Sequence, residues 1–295
     1  MFDFNEIYEA QSIEDAIEYL SKHPDTWIIA GGTDTVINMR EGYFRGRNLI
    51  SINGIMELEG ISLDDDDNIH IKPNTTFRHI ADSEIIKGHI PYLIDATETI
   101  GGPQIRNVAT IGGNISNGFT TADAVPTLFV LDTQVVIQGP DGRRTLPIEK
   151  YYVKSEVMDL NPGELLVDII IPRTGYENVS CNYIKYAIRK SLDIVLLGCA
   201  VSCRISDDKK TLDDIKISLG AAGPLPLRAK NTESHLIGMD ISPAMFDVIK
   251  KYIKTDVSLR TDKRATKEFR LHLCEVLTKR MLIKSLKDLG VTVNL

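Results

Sequence analysis

Cysteine is scarce in this chain and poorly placed for metal chemistry. Of 295 residues four are cysteines (Cys181, Cys199, Cys203, Cys274), all in the second half, and none forms C-x-x-C. An iron–sulfur cluster needs four cysteine-type ligands suitably spaced, so the chain is not expected to carry one. Cys199 and Cys203 lie in an apolar run with strand character, where a spacing of four puts both on one face. Free cysteines in such a run are expected to be core packing. Nothing suggests a disulfide framework. Other absences narrow the field further. The start, Met1 to Glu6, has no basic segment and no apolar signal core. No apolar run approaches bilayer-spanning length, so a cytoplasmic chain without a membrane contact is expected. The net charge is −7 and the basic residues are scattered, apart from Arg143-Arg144. Nucleic-acid binding draws on a basic face, and is not expected here.

Absent motifs exclude several chemistries. There is no G-x-G-x-x-G, so a dinucleotide would not be held by a Rossmann fingerprint, and no G-x-x-x-x-G-K-[ST] for phosphoryl transfer. No H-E-x-x-H, EF-hand loop or G-x-S-x-G elbow occurs. The six histidines (His23, His70, His79, His89, His235, His272) show no ligand spacing, and no metal site is expected. Asp64 to Asp67 reads as a solvated turn, because four adjacent carboxylates cannot all face one ion.

What remains is an ordinary globular composition, 43% hydrophobic and 25% charged, long enough for two domains. Ser12 is placed to cap a helix carrying Ile13, Ala16, Ile17 and Leu20. The short strand Trp27-Ile28-Ile29-Ala30 follows, then Gly31-Gly32-Thr33-Asp34 and a second helical pattern from Thr35. Strands are expected at Asn48 to Ile52 and Ile69 to Ile71. Helices are expected over Thr76 to Ile86 and Pro91 to Ile100, and a loop at Gly101 to Asn107. A hairpin (134–138 with 144–148) and a buried strand, Leu165 to Ile171, complete the first part. The polar stretch Arg173 to Val179 marks the boundary between residues 1–176 and 177–295. The second part holds strands near 182–187, 195–205 and 214–219, a Gly/Pro elbow at 220–227, and helices over 243–254 and 265–289.

Two short segments carry the chemistry. In Ala30-Gly31-Gly32-Thr33-Asp34 a chain reversal between strand and helix exposes unpaired N–H groups. Glycines there permit positive φ and remove the Cβ that would block a ligand. Successive N–H groups at such a turn form an anion cradle, to which the Thr33 hydroxyl adds a bond. Taken alone, Gly-Gly-Thr at a strand end is more often only a turn. Thr110-Ile111-Gly112-Gly113-Asn114 repeats the chemistry about eighty residues on, and two cradles suit a pyrophosphate, which needs donors on both phosphates.

At these segments the sequence resembles the flavoprotein family of the molybdenum hydroxylases: the medium subunit of carbon monoxide dehydrogenase and the FAD subunit of xanthine dehydrogenase. The matching elements, in order along the chain, are Ala30 to Asp34, Gln104 to Asn107, Thr110 to Asn114 and Asp123. Tyr183-x-Lys185-x-x-x-Arg189-x-x-x-Asp193-Ile194, Gly223-Pro224-x-Pro226-x-Arg228-Ala229 and Arg264-Ala265-x-Lys267-Glu268-Phe269-Arg270 follow. The resemblance implies an α+β chain: a two-part FAD-binding domain of the vanillyl-alcohol oxidase (PCMH) type, then a smaller α+β domain of the carbon monoxide dehydrogenase flavoprotein type. It implies that Trp27, Ile28, Ile29, Ala30, Gly31, Gly32, Thr33, Asp34 and Thr35, with Thr110, Ile111, Gly112, Gly113 and Asn114, hold the FAD pyrophosphate. Asp123 would bind the ribityl or ribose side, and Leu165, Leu166 and Lys185 would lie near the flavin ring. From the residues alone, Lys185 reads as a strand lysine with its head in water. The segment Ser116 to Thr121 departs from the eukaryotic xanthine dehydrogenase pattern.

The resemblance further implies an oxidoreductase subunit within a complex. Electrons would come from an iron–sulfur subunit, fed by a molybdopterin subunit, and leave as hydride to NAD⁺, with ferredoxin or a quinone open as other acceptors. Purines, nicotinate-like heterocycles, aldehydes and carbon monoxide are all open as substrates of the distant molybdenum site. The rival reading is a stand-alone FAD-dependent oxidoreductase of the same superfamily. It would need a general acid or base beside the flavin, and the sequence offers no convincing one. A second rival is a nucleotide-binding module without catalysis.

Overall fold

The computed structural model describes residues 3–293. Hydroxyl caps start many of its helices, as local sequence dictates. Ser12 accepts the Asp15 N–H at the head of helix Ile13–Lys22, whose Ile13, Ala16, Ile17 and Leu20 form the buried stripe. Thr76, Ser83, Thr110 and Thr266 cap later helices in the same way. Ser83 accounts for one departure from expectation. The predicted helix over Thr76 to Ile86 is two helices, Phe77–Asp82 and Glu84–His89. Ser83 ends the first in extended backbone and caps the second by accepting the Ile86 N–H.

Three sheets organise the chain. The first is small and parallel, with β1 (Ile7–Glu9), β2 (Trp27–Ile29) and β3 (Leu49–Ser51) in the order β1-β3-β2. Helix Ile13–Lys22 shares a core with Ile50, Ile52, Val136, Leu165 and Val167, and so lies between this sheet and the next. The second sheet is antiparallel and contains β4 (Ile61–Leu63), β5 (Ile69–Ile71), β6 (Gln134–Gly139) and β7 (Gly142–Pro147). A two-stranded ribbon, β8 (Tyr152–Lys154) with β9 (Val157–Met158), precedes its central strand β10 (Leu165–Ile171), giving the order β4-β5-β10-β6-β7. β1 and β4 were not anticipated; at three residues each they give little periodic signal.

The third sheet holds β11 (Ser180–Tyr186), β12 (Leu197–Ile205), β13 (Leu212–Gly220) and β14 (Leu227–Arg228), in that order. The 22-residue helix Lys267–Asp288 packs on it through Leu273, Cys274, Leu277, Met281 and Leu282. Cys199, Cys203 and Cys274 are free thiols in this core, and Cys181 is buried in the neighbouring one. Helix Val125–Val130 is wholly buried and presses against the third sheet. There Ser202 donates to the Val130 carbonyl at 2.9 Å, and Lys216 pairs with Asp132. No helix among the described residues is long and apolar enough to cross a membrane.

Candidate functional site

β2 is an edge strand whose three residues deliver the first glycine turn. Trp27 tilts onto Phe44 at 4.8 Å, Ile28 joins the core with helix Ile13–Lys22, and Ile29 lies beneath Gly32. Helix Thr35–Arg40 starts after Asp34, which caps no N–H. Among the described residues, no protein acceptor takes the backbone N–H of Gly31, Gly32, Thr33 or Asp34. Gly31, Gly32 and Thr33 are half-buried and Asp34 is exposed, so their N–H groups are open to an outside acceptor. Four successive free donors are what an anionic group would satisfy.

The second glycine segment meets the first. A Cβ built on Gly31 would sit 1.7 Å from the Val108 carbonyl oxygen and 2.6 Å from its carbon, so only glycine lets the two chains pass this closely. Asn117 adds a tie by donating from Nδ2 to Asp34 Oδ2 at 3.0 Å. Two bends separated by about eighty residues of sequence therefore form one local surface.

They do so with unequal means, which corrects the expectation of two equivalent cradles. Thr110 to Asn114 is not a bare turn. Thr110 caps helix Ile111–Ser116, and the N–H groups are consumed: Ile111 donates to Thr75 O, Gly112 to Pro73 O at 2.8 Å, Gly113 to Thr110 Oγ1, and Asn114 to Thr110 O. Gly112 is glycine for packing, since a Cβ would lie 2.4 Å from Pro73 Cβ. What this segment has left to offer is side chains. Asn114 Oδ1 is buried without a partner, as is Thr120 Oγ1 in the segment where the sequence departs from the eukaryotic pattern. An orphaned amide at a partly buried site fits a hydroxyl-bearing ligand. The segment after Asn114 is itself fixed: Glu156 N donates to Gly118 O, and Ala221 N donates to Thr120 O at 2.7 Å.

Asp123 and Lys185, assigned separately to the cofactor, are partners of each other. Lys185 Nζ reaches Asp123 Oδ2 at 2.7 Å and also donates to Thr99 O, and the two side chains are only 8% and 10% exposed. The picture of a strand lysine with its head in water is wrong, because β11 faces the Asp123 loop across the domain contact. Tyr183, two residues earlier on the same face of β11, donates to Asp123 Oδ1 at 3.1 Å. Burial pushes the Asp123 carboxyl up, and Lys185 and Tyr183 offset this only in part. Arg189 is exposed and answers Asp193 within its own loop, so the two charges largely cancel there.

Leu165 and Leu166 are not brought to one place. They are neighbours on β10 and point to opposite faces of the sheet, Leu165 toward helix Ile13–Lys22 and Leu166 into the core that holds Ile111 and Ile115. Sequence reasoning missed Asn117 and the acceptors Pro73, Thr75 and Thr99, none of which stands in a motif. It quoted Tyr183 only as part of a pattern; its two-residue spacing from Lys185 was the available signal.

Comparisons with known proteins identify the family. The family described as FAD binding domain in molybdopterin dehydrogenase matches residues 2–174, and the CO dehydrogenase flavoprotein C-terminal domain matches residues 182–285. The chain is 35% identical to the xanthine dehydrogenase FAD-binding subunit of Escherichia coli O157:H7, over 98% of this chain and 99% of that one. It is 32% identical to the nicotinate dehydrogenase FAD-subunit of Eubacterium barkeri, over 82% of each. Among solved structures, carbon monoxide dehydrogenase from Hydrogenophaga pseudoflava superposes with a TM-score of 0.90 at 26% identity, covering 97% of this chain and 98% of that one. Free donors at one glycine turn, an orphaned amide at the other, and whole-length kinship of this kind have one common meaning: the chain belongs to the FAD-binding medium subunits of the molybdenum hydroxylases, oxidoreductase subunits whose cofactor is FAD.

Proposed function

We propose that this subunit is the terminal station of a xanthine dehydrogenase-type complex. It takes electrons from the iron–sulfur subunit, which is fed by a molybdopterin subunit, and delivers them as hydride to NAD⁺. The single observation that carries the reading is the contact of the two glycine segments, Gly31 against Val108, beside four unclaimed N–H groups. A diphosphate fits that turn because it brings acceptors to successive donors. Trp27 to Thr35 would hold it from one side, and Thr110 to Asn114 would close the other side, Asn114 and Thr110 through their side chains. Asp123 would accept from a ribityl or ribose hydroxyl, while Leu166 and Lys185 would border the ring. When bound, the flavin supplies the switch between single-electron input and two-electron output. Lys185, its charge largely answered by Asp123, would favour an anionic reduced ring only modestly, and the exposed Arg189–Asp193 pair would add little.

Residues 1–176 would form the FAD-binding part and residues 177–295 the smaller domain, in keeping with the two matched ranges. An obligate complex would bury more than about 1,000 Å² against its partners. Purines are favoured as substrates at molybdenum by the likeness to xanthine dehydrogenase subunits. The test is to isolate the native complex, measure flavin, iron and molybdenum, and follow NAD⁺ reduction with purines, nicotinate and aldehydes. Flavin, both metals and substrate-dependent NADH formation are expected. Turnover by the purified chain alone would instead establish a stand-alone flavoenzyme.

A further inference from the structure

We propose that Tyr183 is a positioning residue of the cofactor site: its hydroxyl keeps the Asp123 carboxylate ionised and aimed, and so sets how acid a solution the site tolerates before releasing FAD. The inference rests on the reading of Asp123 as a cofactor ligand and gives a role to a residue that the sequence motif contains without explaining.

The geometry separates the two donors on Asp123 cleanly. Lys185 holds Oδ2 and Tyr183 holds Oδ1, both from one face of β11 and both from the opposite side of the domain contact. The charged and titratable groups facing the carboxylate are these two alone among the described residues. Tyr183 in turn faces Asp123 and Thr99, while Cys199 of β12, whose thiol burial pushes up to about 12, points to the opposite face of the sheet against Thr278. Burial likewise drives the Tyr183 phenol well above its ordinary range, so it remains a donor at every working pH. Its place is kept open by Gly198, which pairs with Lys185 across the ladder. A Cβ on Gly198 would lie 3.2 Å from the Tyr183 hydroxyl oxygen and 3.5 Å from the ring. Without that hydroxyl, one oxygen of a buried carboxylate has no donor. The proton then binds more readily, and a protonated Asp123 accepts a ligand hydroxyl far less strongly than the anion does.

The experiment follows FAD occupancy of the native complex by flavin fluorescence as pH is lowered. It compares the wild type with Tyr183→Phe, Gly198→Ala, Asp123→Asn and the double variant Tyr183→Phe/Asp123→Asn. A hydrogen bond to a charged group, expressed through the energy of one pKa unit, moves the acid limb of FAD release upward by about one pH unit in Tyr183→Phe. Gly198→Ala, which keeps the hydroxyl and crowds it, moves the limb the same way by less. In Asp123→Asn the limb assigned to Asp123 is gone, and adding Tyr183→Phe changes nothing further. A purely structural tyrosine would lower affinity at all pH values and leave the limb in place. That result, or a shift that persists in the Asp123→Asn background, overturns the inference. A wild-type complex that holds no FAD, or an Asp123→Asn complex with the wild-type profile, overturns the underlying reading of the site instead and takes the inference with it.

Discussion

Gly31→Ala is the most exacting perturbation of the site. The new methyl would meet the Val108 carbonyl oxygen at 1.7 Å and its carbon at 2.6 Å, both of them backbone atoms that no rotamer change can move aside. Restoring ordinary van der Waals spacing requires the two loops to part by roughly 1.5–2 Å. Overpacking of this kind costs about 1–3 kcal/mol of stability. The larger effect falls on the ligand. Each N–H aimed at a charged phosphate is worth about 1.5–3 kcal/mol, so misplacing one weakens FAD binding by roughly 10- to 100-fold and misplacing two by roughly 100-fold or more. Two control glycines grade the argument. Gly32 has φ +73° and only side-chain atoms at 3.4 Å or beyond, so Gly32→Ala should cost mainly the left-handed penalty of about 1–2 kcal/mol, or roughly tenfold in affinity. Gly113 faces outward from its helix with only Thr110 Oγ1 near, at 3.0 Å. Gly113→Ala should therefore stay within about threefold, since alanine also favours the helix. The affinity is read by titrating FAD against the fluorescence of Trp27, the sole tryptophan, which sits on the strand entering the loop. Wild-type affinity in Gly31→Ala, or equal damage from Gly113→Ala, would refute the reasoning.

Other consequences are testable alongside. Lys185→Met strands a buried carboxylate and should cost roughly 3–5 kcal/mol in urea unfolding. Asp123→Leu/Lys185→Met should recover most of that while binding no FAD, and an additive double variant would show that the pair is not coupled. His70 has a carboxylate at each ring nitrogen, Asp168 at 2.9 Å and Asp64 at 3.2 Å, an arrangement that only the doubly protonated ring satisfies. Burial opposes the charge, but the two carboxylates outweigh it and hold His70 above its usual range. Its contribution is therefore complete below its unfolded value of about 6.5 and fades as pH rises through the higher folded value. His70→Gln should flatten that part of the stability–pH curve, and an unchanged curve would rule the network out. Arg270 is 2% exposed and staples Leu196 O at 2.7 Å and Asp262 at 2.9 Å. Arg270→Leu should destabilise by roughly 3 kcal/mol or more. Backbone N–H bonds from Arg264 and Ala265, together with Arg270, hold Asp262 at about 2, so wild-type stability drawn from it is lost only as pH falls toward that value. Calorimetry across acid pH checks both statements.

The sequence by itself determined a good deal, wherever information is local. A hydroxyl before an apolar stripe caps a helix, as Ser12 and Thr266 do; apolar runs became β6, β10, β12 and β13; and glycines between strand and helix opened a donor-rich turn at Gly31 to Asp34. The cofactor class followed from the ordered motifs. What the sequence could not decide was which groups spend their hydrogen-bonding capacity on one another, because that depends on segments far apart in the chain. Only the tertiary structure commits the Ile111 and Gly112 N–H groups to Thr75 and Pro73, turning an expected second cradle into a capped helix that offers side chains. Strand alternation already separates Leu165 from Leu166, but only packing decides that Leu165 goes to the core under helix Ile13–Lys22 and Leu166 to the core of Ile111 and Ile115. Lys185 and Asp123 each looked solitary, and the fold makes them a buried pair across the domain contact, where low solvent access turns two ordinary charges into a costly and mutually dependent unit.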